Sequence, residues 1–152
     1  MSTKSILKSL KEFANSEVPL DLLLVAVNET KAEMQNRIFN SEKGAKDIQG
    51  KGLGNYSNAY ANYRKKLGRQ VKYKDLELTG ALRRELETVR SDDNIKIVIR
   101  SESEVKKAKY IEEQEKQTIF ALSDEEQKLV GEKANILFSR EIKQIIENGI
   151  NK

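Results

Sequence analysis

Asn94-Ile-Lys-Ile-Val-Ile-Arg-Ser101 is the stretch of sequence that decides the fold class. Isoleucine occupies every second position in it, which is the period of a half-buried β-strand, and β-branched residues favour strands. The turn-forming residues Ser91–Asp93 precede it, so we expect Glu87–Arg90 to be the partner strand of a hairpin. Because the other periodic segments of the chain are helical, this hairpin predicts an α+β fold.

Upstream of the hairpin, apolar residues recur at helical spacing in two segments. Residues 4–15 predict a short amphipathic helix, and residues 19–39 predict a longer and more apolar one with Pro19 in its first turn. A glycine-rich segment follows at about residues 40–56, and we expect a mobile loop there. The next helix is expected at residues 57–67, because Tyr56, Tyr60 and Tyr63 lie at i, i+4 and i+7.

Three further helices are expected, one before the hairpin and two after it. Leu76–Leu86 predicts a short one with Thr79 as its N-cap, and residues 103–114 predict another. Ser123-Asp-Glu-Glu126 is a capping box that announces a long closing helix, whose apolar stripe includes Ile142. We therefore expect a single α+β domain over residues 1–152. It has about five helices, with long ones in the N-terminal half and at the C-terminus, packed on a small antiparallel sheet that Thr118–Leu122 could enlarge.

The composition limits the chemistry. The chain has neither cysteine nor histidine, which excludes disulfides, thiolate nucleophiles and histidine general bases. Adjacent carboxylates such as Glu112-Glu113 point in different directions on a helix, so solvated helix faces explain them better than an acid/base pair or a metal site. We predict no catalytic residue, no cofactor and no metal. The longest apolar run, Leu22–Val27, is too short to span a membrane, and we expect a soluble, unexported protein.

Positive charge concentrates in the middle of the chain. Between Asn40 and Asp75 nine basic residues face three acidic ones, whereas the whole chain has a net charge of only +4. Lysine and arginine neutralise phosphates and tyrosine can stack on exposed bases, so this basic segment, residues 43–74, leaves open a small nucleic-acid-binding regulator. Tyrosines that share one helix face are more often packed against protein, which favours an interaction surface between subunits.

Several segments, taken in order, resemble one protein family. They are Asn55-Tyr-Ser-Asn-Ala-Tyr-Ala-Asn-Tyr-Arg-Lys-Lys66, Leu76-Glu-Leu-Thr-Gly-Ala-Leu-Arg-Arg84, the hairpin, Ala108-Lys-Tyr-Ile-Glu-Glu-Gln114 and Phe120-Ala-Leu-Ser-Asp-Glu-Glu126. This order is similar to that of the virion-morphogenesis or tail-completion proteins of tailed bacteriophages, which join head to tail. The resemblance covers about residues 55–146. It implies a structural virion protein, in a ring of six or twelve identical subunits around the DNA passage, with portal, neck and tail proteins as its partners.

The sequence also nominates contact residues for such a subunit. For contacts between subunits we predict one apolar and four tyrosine side chains: Leu53, Tyr56, Tyr60, Tyr63 and Tyr73. For contact with DNA in the channel or with acidic partner surfaces we predict seven basic side chains: Lys51, Arg64, Lys65, Lys66, Arg69, Lys72 and Lys74. The glycine-rich loop is long enough to reach a neighbouring subunit.

Overall fold

A computed structural model describes residues 3–40 and 42–150 of the chain. Within these ranges there are six helices and one antiparallel pair of strands. In chain order they are α1 (Thr3–Ala14), α2 (Val18–Ile38), α3 (Asn58–Lys66), α4 (Ala81–Arg84), β1 (Leu86–Arg90), β2 (Ile95–Ile99), α5 (Glu102–Glu115) and α6 (Asp124–Ile150). The fold is a mostly helical α+β domain, as the sequence predicts.

The hairpin forms at the position that the alternating isoleucines predict. Leu86 pairs with Ile99 at one end of the ladder and Arg90 pairs with Ile95 at the other. Apolar side chains of β2 pack against the core, and Leu86 at the start of β1 is buried within it. The strongest local signal in the sequence therefore predicts the strand correctly.

Helix α2 is the central element, since it packs against α6, α1 and both strands. Two ion pairs show that α2 and α6 are antiparallel: Arg37 meets Glu126, while Glu29 meets Lys133. Buried α2 residues Met34 and Ile38 enter a core that also takes residues from the loops, from β1 and from α5. Most of the irregular chain is packed against this end of α2.

Arg37 joins three separate parts of the chain at the end of α2. Its guanidinium donates to both carboxylate oxygens of Glu126, at 2.8 and 3.2 Å, in the first turn of α6. It also donates to the carbonyls of Lys46, Ile119 and Ala121, at 2.9, 3.1 and 2.7 Å. Arg37 thereby fixes the loop after α2 and the segment before α6 to one point.

The glycine-rich segment between α2 and α3 contributes two residues to the core, although the sequence shows no apolar period there. Ala45 and Leu53 are buried, and a β-bridge joins Lys46 to Gly52. The buried carboxylate of Asp47 closes the turn between them by accepting from the backbone N–H groups of Gln49 and Lys51, at 2.9 and 2.8 Å. The segment is a loop, as predicted; its mobility stays a prediction.

Three local predictions need correction. Thr118–Leu122 does not enlarge the sheet, because the N–H groups of Ile119 and Phe120 donate to the Glu112 carboxylate of α5 instead of to a strand. The N-cap of α4 is Gly80, in a left-handed conformation, one residue after Thr79. Ile142 belongs to the predicted stripe of α6 yet is 37% exposed, so it is not a core residue.

Candidate interaction surface

An apolar groove opens between α3, the segment that leads into α4, and α5. Its volume is about 530 Å³, and we call it the tyrosine groove. Side chains from all three elements form its walls: Tyr56, Tyr60, Leu76, Leu78, Tyr110 and Ile111. Buried Leu82 joins this wall to the core of the domain. The groove is thus a surface feature built directly on the hydrophobic core.

Tyr60 and Tyr63 of α3 lie side by side with Tyr56, which precedes the helix by two residues. The Tyr56 and Tyr60 rings meet edge to face, with centroids 5.2 Å apart, and the Tyr60 and Tyr63 centroids are 6.0 Å apart. Tyr60 is 38% exposed, and Tyr110 across the groove is 62% exposed. Large aromatic rings left this open to water are typical of protein interfaces, because burial on binding releases their hydration.

A buried polar network fixes the wall that carries Tyr56. The Arg64 guanidinium lies 2.8 Å from the Asp75 carboxylate, and the two residues are only 1% and 2% exposed. Gln70 donates to the second carboxylate oxygen of Asp75 at 2.6 Å. Arg64 also donates to the backbone carbonyl of Gln70 at 3.0 Å and stacks over the Tyr56 ring, 4.4 Å from its centroid. Paired, well-bonded charges of this kind hold a loop in one geometry.

The hydroxyl of Tyr56 completes the network. It donates to Asp75 Oδ1 at 2.9 Å and accepts from the backbone N–H groups of Asp75 and Leu76, at 3.1 and 3.2 Å. Burial and then the hydrogen bond to Asp75 raise the pKa of the Tyr56 hydroxyl well above its ordinary value. The phenol is therefore held in its neutral form, which suits a structural hydrogen bond and not a base.

Every charged side chain that reaches the tyrosine groove has a partner in the same chain. Arg64 pairs with Asp75, Lys74 pairs with Glu115 at 2.5 Å, and Lys107 pairs with Glu104 at 2.7 Å. The groove is consequently electrically neutral as well as apolar. Such a surface suits an uncharged apolar segment of another protein better than an ionic ligand.

The predicted basic contacts divide into two groups. Arg64 is buried and Lys74 is paired, so neither is available to a partner in the way the sequence suggests. The remaining five are exposed: Lys51, Lys65, Lys66, Arg69 and Lys72. Arg64 is hence a structural residue, and we remove it from the contact surface.

The five residues predicted for contacts between subunits do not all lie together. Tyr60 and Tyr63 lie together on α3 beside Tyr56, which precedes the helix, and Tyr63 is half exposed. Leu53 packs in the chain's own core. Tyr73 lies apart from the groove, where its Cβ closely approaches Gly44 and Lys72 sits 5.1 Å from its ring centroid.

Over residues 3–40 and 42–150, no cluster of three or more acidic side chains is arranged to hold a metal ion. In the same ranges, no helix combines the length and apolar character needed to cross a membrane. Comparison with protein-family models, curated proteins and solved structures gives no match to this chain.

The far wall of the groove was not predicted from the sequence. Tyr110 belongs to a weakly periodic, highly charged helix, and no local pattern marks it as a partner of α3. Asp75 was counted as one of three acids in a basic window, whereas it anchors the Tyr56 hydroxyl and Arg64. The Leu-x-Leu-Thr-Gly-x-Leu stretch at residues 76–82 was the one available signal, because it supplies Leu78 and Leu82 to the groove.

Proposed function

We propose that this chain is a structural virion protein of a tailed bacteriophage, without enzymatic activity. In this proposal it is a neck, connector or tail-completion subunit that forms a ring joining head to tail around the DNA passage. Its partners are copies of itself and the portal, neck and tail proteins of the virion. It is made in the host cytoplasm and ends in the virion.

The observation that carries the proposal is the tyrosine groove, a neutral apolar surface with Tyr60 and Tyr110 open to water. Isolated exposed apolar residues need no explanation, but a groove that continues the core outward supports protein binding. The polar network of Arg64 and Asp75 holds the groove wall before any partner arrives, and preorganisation of this kind reduces the entropy lost on binding. The resemblance over residues 55–146 supplies the class of assembly.

A closed ring requires heterologous contacts, in which each subunit offers two different faces. The tyrosine groove supplies one face. The second face would be an apolar projection elsewhere on the chain, and exposed aliphatic side chains at Leu7, Val25 and Ile136 are candidates. A subunit built in this way works through shape and adhesion, which agrees with the absence of cysteine and histidine from the sequence.

Inactivating the gene in its phage tests the proposal. We expect filled heads and finished tails to accumulate separately, visible by electron microscopy, and infectivity to return when the wild-type chain is supplied in trans. A Lys128→Gln chain, changed at an exposed position of α6, serves as the positive control for complementation. Tailed, infectious particles produced without the chain would refute the proposed function.

A further inference from the structure

The segment that contains α3 presents a basic surface, because it is rich in lysine and arginine and contains no acidic residue. From residue 48 to residue 74 the sequence contains seven basic residues and no aspartate or glutamate. The aspartates that flank this segment, Asp47 and Asp75, are 4% and 2% exposed. Their carboxylates accept hydrogen bonds from their own chain, so neither one neutralises the surface.

Four of the seven basic residues gather where α3 ends and the chain turns. We call residues 65–72 the basic turn; its cations are Lys65, Lys66, Arg69 and Lys72, all exposed. Among residues 3–40 and 42–150, none of these four forms an ion pair. Their charge is therefore available to a ligand.

Hydrogen bonds among residues 64–73 fix the backbone of the basic turn. Gly68 takes a left-handed conformation, and the N–H of Arg69 donates to the carbonyl of Arg64 at 3.0 Å, which closes the helix end. The side chain of buried Arg64 donates to the carbonyl of Gln70 at 3.0 Å. Gln70 in turn bonds the backbone of Tyr73 through both ends of its amide, at 2.7 and 3.1 Å. The buried network therefore presents the four cations on a fixed scaffold.

We propose that the basic turn binds the phosphate backbone of duplex DNA. Double-stranded DNA carries about one negative charge per 1.7 Å of its axis, and a protein that neutralises its phosphates with lysine and arginine gains affinity by releasing counter-ions. The exposed charged side chains of the turn are lysine and arginine, which supply many of the phosphate contacts in protein–DNA complexes. Contacts to phosphates carry no sequence information, so binding of this kind is independent of DNA sequence.

This inference deepens the proposed function, since a ring around the DNA passage brings duplex DNA to its subunits. The binding itself is a property of the single folded chain. It differs from the regulator considered from the sequence because it excludes Arg64 and Lys74, which are neutralised internally, and involves no sequence preference.

Fluorescence anisotropy of a labelled mixed-sequence duplex, titrated with the whole chain between about 50 and 200 mM salt, tests the inference. Four phosphate contacts predict a slope of about −3.6 for log K against log salt concentration. A variant with the four cations of the basic turn changed to glutamine should bind at least tenfold more weakly at the lowest salt. The four changes are Lys65→Gln, Lys66→Gln, Arg69→Gln and Lys72→Gln.

A charge-matched control removes the same number of exposed lysines elsewhere, and it should keep its affinity. The four control changes are Lys8→Gln, Lys106→Gln, Lys128→Gln and Lys143→Gln. An equal loss of DNA affinity in both variants would show that only the net charge of the chain matters, and it would overturn the inference. Displacement of the labelled duplex by polyglutamate as effectively as by unlabelled duplex would overturn it as well, in favour of an acidic protein partner.

Thermal melts of both variants show whether either one has lost its fold. This inference and the proposed function can each fail without the other. If the basic-turn variant and the wild type bind DNA equally while the chain still joins heads to tails, only this inference fails. If the wild-type chain binds DNA through the turn but phage assemble without it, only the proposed function fails.

Discussion

Arg64 and Asp75, eleven positions apart, form a buried ion pair whose side chains are 1% and 3% exposed. The pair connects the last turn of α3 to the segment that enters the tyrosine groove. It converts two residues that the sequence presents as surface charges into an internal support for that groove. Most of the stability changes that we expect of variants depend on this ion pair or on the ion pair between Arg37 and Glu126.

Changing Asp75 to asparagine should destabilise the domain by about 3–5 kcal/mol, because it leaves the Arg64 cation buried without a counter-charge. Lys65→Gln is the matched control. It removes a neighbouring charge that is exposed, and it should change the free energy of unfolding by less than about 0.5 kcal/mol. Urea unfolding at neutral pH measures both. Equal, small effects would mean that Arg64 is solvated.

Changing Tyr56 to phenylalanine should cost about 1–3 kcal/mol at neutral pH, since the N–H groups of Asp75 and Leu76 lose their acceptor. The pH dependence follows from the raised pKa of Tyr56. Below pH about 10 its hydroxyl is protonated in both the folded and the unfolded chain, and contributes no pH dependence. Above that pH the unfolded chain loses the proton first, so the folded state loses stability as pH rises.

Unfolding free energies of wild type and Tyr56→Phe, measured from pH 8 upward, test this prediction. The stability difference between the two proteins should be constant up to pH about 10 and should shrink above it. Comparing the two proteins cancels the titration of the lysines, which they share. A difference that stays constant through the alkaline range would show that the Tyr56 hydroxyl has an ordinary pKa.

Changing Arg37 to methionine should also destabilise the domain by about 3–5 kcal/mol, because Glu126 and three carbonyl groups lose their donor together. Arg100→Met is the comparison. Arg100 pairs with Glu87 at 3.0 Å, but its side chain is 72% exposed, and exposed pairs contribute about 0–1 kcal/mol. Guanidinium-induced unfolding separates the two variants. Similar midpoints would contradict the connecting role of Arg37.

Alanine in place of Tyr60 or Tyr110 should leave the fold intact, because neither residue is buried: Tyr60 is 38% and Tyr110 is 62% exposed. Leu82→Ala, at a buried position of the same wall, should cost about 2–5 kcal/mol. For a domain of this size each kcal/mol lowers the melting temperature by about 2–4 °C. Thermal melts of the three variants compare these costs directly. A collapse of Tyr60→Ala as large as that of Leu82→Ala would place Tyr60 in the core.

Local patterns in the sequence predict most of the helices and the hairpin. Alternation at Ile95–Ile99 is a property of neighbouring residues, and so is the Ser123–Glu126 capping box, whose reciprocal bonds measure 2.8 and 3.1 Å. The contact between Tyr60 and Tyr63 on α3 likewise follows from helical spacing. These elements form because short-range preference and tertiary packing agree.

Burial of single residues in this fold depends on contacts that local patterns do not contain. Arg64 directly precedes two exposed lysines in the sequence, and its burial depends on Asp75 being brought to it by the intervening turn. Tyr110 faces the groove only because α5 packs beside α4 and β2. Ile142 follows the apolar period of α6 but lacks a covering neighbour. The periodicity of the sequence does not predict long-range contacts of this kind.

The particle mass of the purified chain, measured alone and mixed with portal and tail proteins of the bacteriophage to which we propose it belongs, tests the central claim most directly. We predict that the wild-type chain forms closed rings of six or twelve copies, alone or on these partners. The folded double variant Tyr60→Ala, Tyr110→Ala should stay monomeric under the same conditions. A wild-type chain that remains a single copy in every mixture, or a double variant that assembles equally well, would contradict it.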